Sequence, residues 1–396
     1  MKKFIAIFAA ALCLAACCRE AQTYTVMISL DAFRWDYPDI FDTPNLDRIA
    51  SEGVRAAMLP SYPSSTFPNH YTIATGLVPD HNGIVNSSFW DENTGKQYGM
   101  GDKETRNDPS YYNGETIWCA AERQGVRTAS IYWVGSDIPI GGRLPSIYRY
   151  WYDEPRLTYE ERAHEAVRLL SLPEGERPRL TTVYFDDPDM TSHEFGPKSA
   201  EAGVMVHYLD SLVGIIYDGC RALPYGDRIN VIVTADHGMT DISDERFVRI
   251  SDYVKSEWCE HIVSTNPTSI FPKEGCRDLI LDALKDVEHI SVWTKDAVPK
   301  HLNYGSSPRI GQIVVAPDLG WQFAQQPRGI LGAHGYDPEE SDMQVNFCAA
   351  GPDFRQGYVC ESKFINIDIY PMLCKVLGIE CGPVDGKLER IQQILR

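Results

Sequence analysis

The stretch INVIVTADHG, residues 229–238, is a run of β-favouring residues that leads through Ala235 into Asp236 and His237. Two other stretches have the same form, YTVMISLD at residues 24–31 and LTTVYFDDPD at residues 180–189. Their strand portions are nearly continuously apolar rather than alternating, which is typical of strands buried on both faces of a parallel sheet. Helical patterns separate them. The sequence therefore predicts an α/β fold with a mostly parallel sheet flanked by helices on both faces.

All three predicted strands lead into an aspartate, namely Asp31, Asp189 and Asp236. Ligands of open parallel sheets bind beyond the carboxyl ends of the strands, so the three carboxylates converge if the strands are neighbours. The alternative for any one of them is an ordinary turn-forming aspartate. Two of the three are followed closely by a histidine, His193 and His237, which favours a shared site.

A third histidine, His334, lies between small residues in GAHG, residues 332–335. Three carboxylates and three imidazoles are enough for two sites with nitrogen and oxygen ligands, which zinc accepts. Paired divalent metals suit displacement at phosphorus and attract an anionic substrate. We therefore predict two Zn²⁺ ions as cofactors.

The segment SSTFPNHYT, residues 64–72, combines a hydroxyl group with the start of a helix. Pro68 suits the first helical position, so we expect Thr66 at or before the N-cap. The free amides and the helix dipole favour negative charge there, and a metal would lower the pKa of the Thr66 hydroxyl. The alternative is an ordinary threonine cap.

The composition limits the possible partners. The 396 residues include 37 Lys and Arg against 55 Asp and Glu, a net charge of −18. Such an acidic chain is a poor ligand for a nucleic-acid polymer, whose phosphates are bound by Lys and Arg. A small phosphate-containing substrate is not excluded, because a bound metal reverses the charge locally.

The N-terminus predicts export. Lys2 and Lys3 precede an apolar run over residues 4–18, which is too short to span a membrane and fits a signal peptide. The run includes LAAC, residues 14–17, which resembles a bacterial lipobox cut before Cys17. We predict a signal peptide at 1–16, a lipid-anchored tether at 17–23 and a catalytic domain at 24–396. The alternative is an ordinary secretory signal.

An exported lipoprotein would face the periplasm or lie on the outer membrane or cell surface, and would touch the membrane only through its lipid. Export also implies an oxidising compartment in which cysteines pair. Spacing favours the disulfides Cys259/Cys276, Cys348/Cys360 and Cys374/Cys381, although spacing alone does not determine connectivity.

Five motifs occur in a fixed order: Asp31, TFPN at 66–69, Tyr-x4-Asp-x3-His at 184–193, TADHGM at 234–239 and GAHG at 332–335. This order resembles the nucleotide pyrophosphatase/phosphodiesterase (type I phosphodiesterase) family of the alkaline phosphatase superfamily. The resemblance covers essentially the whole chain from residue 24 onward. It implies an alkaline-phosphatase-like fold and zinc-dependent hydrolysis of phosphodiester or pyrophosphate bonds in nucleotides and related small diesters.

The resemblance also implies residue roles. Thr66 would be the nucleophile and form a phosphothreonine intermediate that is later hydrolysed. Matching positions assign one zinc to Asp31, Thr66, Asp236 and His237, and the other to Asp189, His193 and His334.

Substrate-binding residues are implied in the same way. The family usually has an asparagine 21 residues after the threonine, supporting a phosphoryl oxygen. Ser87 stands at that position here, and we favour its neighbour Asn86 as the catalytic amide. Phe67 and Tyr184 correspond to two rings that sandwich a nucleobase, unless both simply pack in the core. Tyr152 is the preferred third ring.

Several alternatives use the same scaffold. A sulfatase signature is absent. A threonine-type phosphate monoesterase would have a Lys-x-Arg pair after Trp133, whereas only Arg143 and Arg149 lie between Trp133 and Tyr152. Diesters are therefore favoured. A lipid or choline-headgroup phosphodiesterase stays an alternative, as does a binding protein without catalysis. The sequence does not predict an oligomeric state.

The rest of the chain is predicted more coarsely. A smaller inserted subregion spans about 259–326, a polar surface loop spans 91–112, and a C-terminal helix spans 365–377. A long helix over 200–223 is expected to bury a face made of Val204, Tyr208, Leu212 and Ile215.

Overall fold

The computed structural model describes residues 22–396. Two larger β-sheets contain strands that we number in chain order. They are β1 Tyr24–Asp31, β2 Val54–Leu59, β3 Thr128–Ile131, β4 Ile147–Arg149, β5 Leu180–Pro188, β6 Ile229–Thr234, β7 Cys259–Val263, β8 Thr268–Pro272, β9 Ile290–Thr294, β10 Ile313–Pro317, β11 Val345–Ala350 and β12 Tyr358–Ile365.

The central sheet has eight strands in the order β12-β2-β11-β6-β1-β5-β3-β4. Neighbouring strands are parallel except where β11 pairs with β2 and β6. The three strands predicted from sequence, β6, β1 and β5, are adjacent at its centre. Ser29 of β1 pairs with Tyr184 on one side and with Thr234 on the other, so the three carboxyl ends are level. Asp31 and Asp236 therefore reach the same edge of the sheet.

Helices of seven residues or more are numbered in the same way. They are α1 Pro44–Glu52, α2 Thr66–Thr75, α3 Ile117–Arg123, α4 Tyr159–Leu170, α5 Asp189–Phe195, α6 Ala200–Arg221, α7 Arg277–Leu284 and α8 Ile369–Leu377; shorter ones are Tyr37–Ile40, Pro79–Asn82, Lys103–Arg106 and Leu388–Ile391. One face of the sheet carries α1, α4 and α6, and the other carries α2, α3 and α8. Every residue of β1 is buried between these layers, which confirms the predicted fold class.

The predicted buried face of α6 is only partly right, because Leu212 is 1% exposed whereas Val204 is 72% exposed. The face that packs on the sheet also contains Val206, Leu209 and Val213. A buried polar contact explains the rotation of the helix. The carboxylate of Asp210 accepts a hydrogen bond of 2.8 Å from the backbone N–H of Leu46 at the start of α1, and this contact requires Asp210 to face inward.

A separate antiparallel sheet in the order β7-β8-β10-β9 lies between β6 and β11 in the chain. It packs on α7 around its own apolar cluster, which includes Ile270, Ile280 and Ile313. The short strand Gly332–Ala333 then pairs with Thr240–Asp241. This pairing brings the loop that carries His334 back to the carboxyl end of β6.

The predicted surface loop at 91–112 is right about exposure over residues 92–97 and 100–104, but wrong about the absence of regular structure. Ser88–Asp91 and Lys96–Gly99 form a hairpin, and Tyr98 in its second strand is fully buried. Arg309 secures the segment, because its Nε donates a hydrogen bond of 2.8 Å to the buried Asp91 carboxylate. Neither the ion pair nor the aromatic packing is visible in the polar composition of this stretch.

None of the three predicted disulfides is present. All eight cysteines in the described part of the chain are free thiols. The pairing Cys348/Cys360 is excluded by the sheet order, since β2 lies between β11 and β12 and adjacent strands are about 4.8 Å apart.

Within residues 22–396, no helix is long and apolar enough to cross a membrane. The predicted signal peptide at 1–16 and Cys17, with most of the 17–23 tether, lie outside the described residues.

Candidate metal centre

A buried triad of Asp31, Asp236 and His237 lies at the carboxyl ends of β1 and β6, and its ligand atoms are within 4.8 Å of one another. The Nε2 of His237 is 3.4 Å from Asp31 Oδ1 and 3.2 Å from Asp236 Oδ2. The other oxygen of Asp236 accepts a hydrogen bond of 3.1 Å from the N–H of Ala32. Ala32 adopts a left-handed conformation with φ 58°, a strained state that is frequent at functional sites.

An open triad of Asp189, His193 and His334 lies beside the first. Asp189 begins α5, and His193 follows one turn later. The Nε2 atoms of His193 and His334 are 3.4 Å and 3.7 Å from Asp189 Oδ1. The two triads touch, because the rings of His237 and His334 stack with centroids 3.9 Å apart.

The histidines of both triads are oriented by backbone carbonyls. The Nδ1 atoms lie 2.7–3.0 Å from carbonyl oxygens: His193 from Gly332, His237 from Gly238 and His334 from Ser64. A carbonyl oxygen can only accept, so each Nδ1 carries the proton. Each Nε2 then presents its lone pair to the triad, which is the usual arrangement of metal-binding histidines.

One carboxylate oxygen of each aspartate is buried without a hydrogen-bond partner among the described residues. They are Asp31 Oδ1, Asp189 Oδ1 and Asp236 Oδ2. Buried polar atoms are normally satisfied, and carboxylates at this spacing repel one another. Three unpartnered oxygens that face unprotonated imidazole nitrogens fit divalent cations with nitrogen and oxygen ligands, as zinc prefers.

Electrostatics agree with that fit. Burial raises the pKa of Asp31 well above its ordinary value, and the nearby Asp236 raises it further. Burial alone would also raise the pKa of Asp236, but His237 and His70 hold it below its ordinary value. Burial lowers the pKa of His334, and the neighbouring imidazoles of His237 and His193 lower it further. A neutral imidazole is the form that binds a metal.

Thr66 lies at the start of α2, although the helix begins two residues earlier than predicted. Ser65 is the N-cap and Thr66 is the first helical residue. The Oγ1 of Thr66 is 3.1 Å from His237 Nε2, so the hydroxyl reaches the buried triad. The carbonyl of Ser64, two residues earlier, accepts from His334 of the open triad. The segment before α2 thus contacts both triads.

His70 also belongs to the site, although it is not among the residues predicted from sequence. Its Nδ1 donates a hydrogen bond of 3.0 Å to the carbonyl of Thr66 and is 3.3 Å from Asp236 Oδ2. Its Nε2 accepts one of 2.8 Å from the hydroxyl of Ser29. The sequence spacing could have indicated this position, because His70 follows Thr66 by four residues and therefore lies on the same side of the helix.

The surroundings of Tyr184 differ from those expected of a ring that stacks on a nucleobase. Its ring is only 5% exposed and packs edge-on against His70. Its hydroxyl donates a short hydrogen bond to Asp31 Oδ2, which leaves Oδ1 free to face His237. The ring therefore lies behind the buried triad.

The other predicted substrate residues have different surroundings. Phe67 is half-buried, and its ring centroid is 6.0 Å from the guanidinium of Arg106, which lies 5.2 Å from the ring of Tyr152. Asn86 is buried, and its Nδ2 donates a hydrogen bond of 3.0 Å to Thr265 Oγ1. Its amide is thus engaged by the loop between β7 and β8.

A mostly parallel sheet with two contiguous Asp/His triads and a helix-terminal hydroxyl at its strand ends is the arrangement of the alkaline phosphatase superfamily. Within it, the type I phosphodiesterase/nucleotide pyrophosphatase family profile matches residues 25–337. The chain belongs to that family.

Curated relatives agree with this assignment. Ectonucleotide pyrophosphatase/phosphodiesterase family member 3 of Bos taurus is 32% identical over 386 residues, 94% of this chain and 44% of the relative. Member 1 of Homo sapiens is 31% identical over 396 residues, 94% of this chain and 42% of the relative. The chain thus spans less than half the length of these relatives.

Solved structures are similar as well. An inactive variant of murine ectonucleotide pyrophosphatase/phosphodiesterase 5, in complex with AMP, matches with a TM-score of 0.89 and 29% identity. The alignment covers 95% of this chain and 100% of that one. The human counterpart matches with a TM-score of 0.89 and 31% identity, over 94% of this chain and 100% of its own.

Proposed function

We propose that this protein hydrolyses phosphodiester or pyrophosphate bonds in small nucleotide substrates, with two zinc ions as cofactors and Thr66 as nucleophile. The observation that carries the proposal is the position of Thr66 Oγ1, 3.1 Å from His237 Nε2 at the start of α2 and next to both triads. The AMP bound to the murine relative supports a nucleotide substrate.

In the proposed reaction, the Thr66 hydroxyl releases its proton to solvent and its Oγ bonds to phosphorus, while the bond to the leaving oxygen breaks and the leaving group departs with that electron pair. The oxygen of a water molecule then bonds to phosphorus, the P–Oγ bond breaks, and Thr66 Oγ takes up a proton from that water. Two bound zinc ions would supply positive charge that polarises the phosphoryl oxygens.

The chain's own groups do the positioning. The free N–H groups in the first turn of α2 favour an anion beside Thr66. Asn86 is our proposed donor to a phosphoryl oxygen, for which its Nδ2 would have to exchange its hydrogen bonds to the Thr265 loop for the substrate. Ser87 is the alternative, and both line the cavity next to His334. Phe67 and Tyr152 are the proposed contacts to the nucleobase, and stacking is worth about 1–3 kcal/mol per base.

The proposal also includes export and lipid attachment at Cys17, which rests on the signal-like run and the lipobox-like LAAC. A Cys17→Ser variant should be recovered without the lipid-dependent mass increase and detergent partitioning of the unaltered protein. Equal partitioning of both would contradict the anchor.

The decisive test is Thr66→Ala. We expect turnover to fall to background while two zinc ions stay bound, since six other ligands remain. Metal content by mass spectrometry and turnover of bis-p-nitrophenyl phosphate measure the two separately. Thr75→Ala, on the same helix and away from the triads, is the control. Turnover close to that of the unaltered enzyme in Thr66→Ala would exclude the nucleophile role.

Substrate preference separates the remaining alternatives. We expect bis-p-nitrophenyl phosphate to be preferred over p-nitrophenyl phosphate, and nucleotides over choline phosphodiesters. A clear preference for the monoester would favour a threonine-type phosphate monoesterase, and a preference for choline esters would favour a headgroup phosphodiesterase.

A further inference from the structure

A group of arginines lies at the end of the central sheet opposite the two triads. β1, β3, β5 and β6 run parallel, so the turns that lead into them meet at one edge, which we call the amino edge. Residues 351–357 and Arg396 pack against it, because the Asp353 N–H donates to Asn230 Oδ1 near the start of β6 and the Arg396 N–H donates to the Asp353 carbonyl. The arginines of the amino edge are Arg127, Arg177, Arg179, Arg228, Arg355 and Arg396.

Short contacts connect the turns of the amino edge into one surface. The Arg179 N–H donates a hydrogen bond of 2.8 Å to the Arg127 carbonyl. The guanidinium carbons of Arg177 and Arg228 are 5.0 Å and 5.6 Å from the centre of the Tyr24 ring. Arginines from three turns therefore lie around the start of β1.

Carboxylates do not neutralise these arginines. Among residues 22–396, none of the arginines of the amino edge forms an ion pair, and the hydrogen bonds that their side chains donate go to carbonyl and hydroxyl oxygens. The same turns contain four acidic residues, Glu174, Glu176, Asp227 and Asp353. Asp353 already accepts a hydrogen bond of 2.6 Å from Asn230. Six arginines against four carboxylates give the amino edge a net side-chain charge of +2, in a protein whose net charge is −18.

The predicted lipid on Cys17 would be close to this edge. Gln22 follows Cys17 by five residues, a length of chain that spans at most about 18 Å. The eight residues of β1 extend about 26 Å from the amino edge to Asp31 of the buried triad. A lipid on Cys17 would therefore hold the amino edge, rather than the triads, near the membrane.

We infer that the amino edge is a docking surface for an anionic membrane, with its arginines on the lipid phosphates and the triads on the side away from the bilayer. The planar fork of donors on arginine matches phosphate oxygens, and anionic lipids attract basic residues next to an anchor. The inference rests on the proposed lipid attachment at Cys17 and adds a second contact to it.

This orientation has a consequence for the substrate. A site at the far end of the sheet takes its substrate from the aqueous phase, whereas lipid headgroups of the same membrane lie at the other end of the molecule. The orientation therefore suits a soluble nucleotide better than a headgroup phosphodiester.

The test uses the full lipidated protein, reconstituted into vesicles of phosphatidylglycerol and phosphatidylethanolamine or of phosphatidylcholine alone. Hydrogen–deuterium exchange is measured by mass spectrometry at the turns 171–179 and 222–228, and at the loop 332–335 of the open triad. We expect both turns to exchange at least about 5-fold more slowly on the anionic vesicles, the factor that about one arginine beside such a surface contributes. The loop 332–335 should exchange equally on both kinds of vesicle.

A double variant assigns the effect to the arginines. Arg127→Gln combined with Arg355→Gln removes two exposed arginines of the amino edge and leaves the measured turns unaltered. We expect the slowing on anionic vesicles to shrink to less than about 2-fold. Arg249→Gln combined with Arg277→Gln is the matched control, because it changes the charge equally at side chains that are 37% and 55% exposed beside the antiparallel sheet. This control should keep the full slowing.

Three outcomes would overturn the inference. They are equal exchange of the two turns on both kinds of vesicle, slowing at 332–335 in place of the turns, and an undiminished slowing in the Arg127→Gln, Arg355→Gln variant. Slowing by heparin but not by anionic vesicles would instead make the amino edge a site for a soluble polyanion. None of these measurements needs turnover or zinc, so the proposed hydrolysis fails or holds separately, and partitioning of Cys17→Ser tests the anchor itself.

Discussion

The two triads differ in burial and in what holds them. In the buried triad, the side chains of Asp31, Asp236 and His237 are at most 3% exposed, and Tyr184, His70 and the Ala32 N–H contact its carboxylates. In the open triad, exposure reaches 31% at His193, and backbone carbonyls orient its two imidazoles.

This difference suggests that the two triads have different roles in the site. The buried triad lies beside Thr66, our proposed nucleophile, and is held from three directions, which suits a group that must be precisely placed. The open triad borders a cavity of about 290 Å³ that is open to solvent. If this difference matters, the surroundings of the buried triad are needed for its function.

The largest effect is expected from Asp236→Asn. The change removes a fully buried charge between two imidazoles while keeping the shape of the side chain. We expect one of two zinc ions to be lost and turnover to fall by more than the roughly 10–100-fold typical of residues that only support ligands. Metal analysis and steady-state kinetics measure both.

Asp278→Asn is the control for this change, because Asp278 is 82% exposed on α7. It should retain both metals and full turnover. Two zinc ions per chain in Asp236→Asn would contradict the assignment of the buried triad to a metal.

A smaller effect is expected from Tyr184→Phe, which separates two roles for this residue. The change keeps the ring but removes the hydroxyl that donates to Asp31. A stacking role predicts no change, whereas a positioning role predicts a loss of about 10–100-fold in zinc affinity at one site. Zinc titration in the presence of a competing chelator makes the measurement.

Tyr159→Phe controls for loss of a tyrosine hydroxyl, since Tyr159 donates a hydrogen bond of 3.0 Å to Asp187 outside both triads. Its zinc affinity should be unchanged. If Tyr184→Phe binds zinc as tightly as this control, Tyr184 is not a positioning residue.

The features that were predicted well from sequence are determined by residues that lie close together in the chain. The bounds of β6 and the position of Asp236 follow from an apolar run that ends in a carboxylate, and adjacency of the strands then brings Asp31 to the same edge. The roles assigned to these residues stay predictions, although the structure brings them together as expected.

The parts that sequence missed depend on contacts between distant segments. The spacing from Thr66 indicates which side of α2 His70 faces, but not its hydrogen bond from Ser29, which is 41 residues away. The rotation of α6 depends on Asp210 reaching α1. The Asp91–Arg309 ion pair, 218 residues apart in sequence, orders the hairpin. Periodicity and motif spacing contain no information on such pairs.

The smallest effect is expected from Ser29→Ala, which tests the outermost contact of the buried triad. Ser29 donates to His70, and His70 in turn contacts Thr66 and Asp236. Ser130→Ala is a matched control, because Ser130 is a buried serine of the same sheet whose hydroxyl accepts from Thr182 at the same 2.8 Å. Both variants should lose about 1 kcal/mol of unfolding free energy, measured by urea denaturation.

The two serine variants should differ in function although they agree in stability. Without the Ser29 hydroxyl, the ring of His70 is free to turn, and its Nδ1 no longer stays fixed between the Thr66 carbonyl and Asp236. In Ser29→Ala alone, we expect kcat to fall a few-fold while KM stays unchanged. This fall corresponds to the loss of a single hydrogen bond, which is worth about 1 kcal/mol. Equal kcat values in the two variants would mean that packing against Trp133 and Tyr184 holds His70 in place. Ser29 would then not contribute to positioning the buried triad.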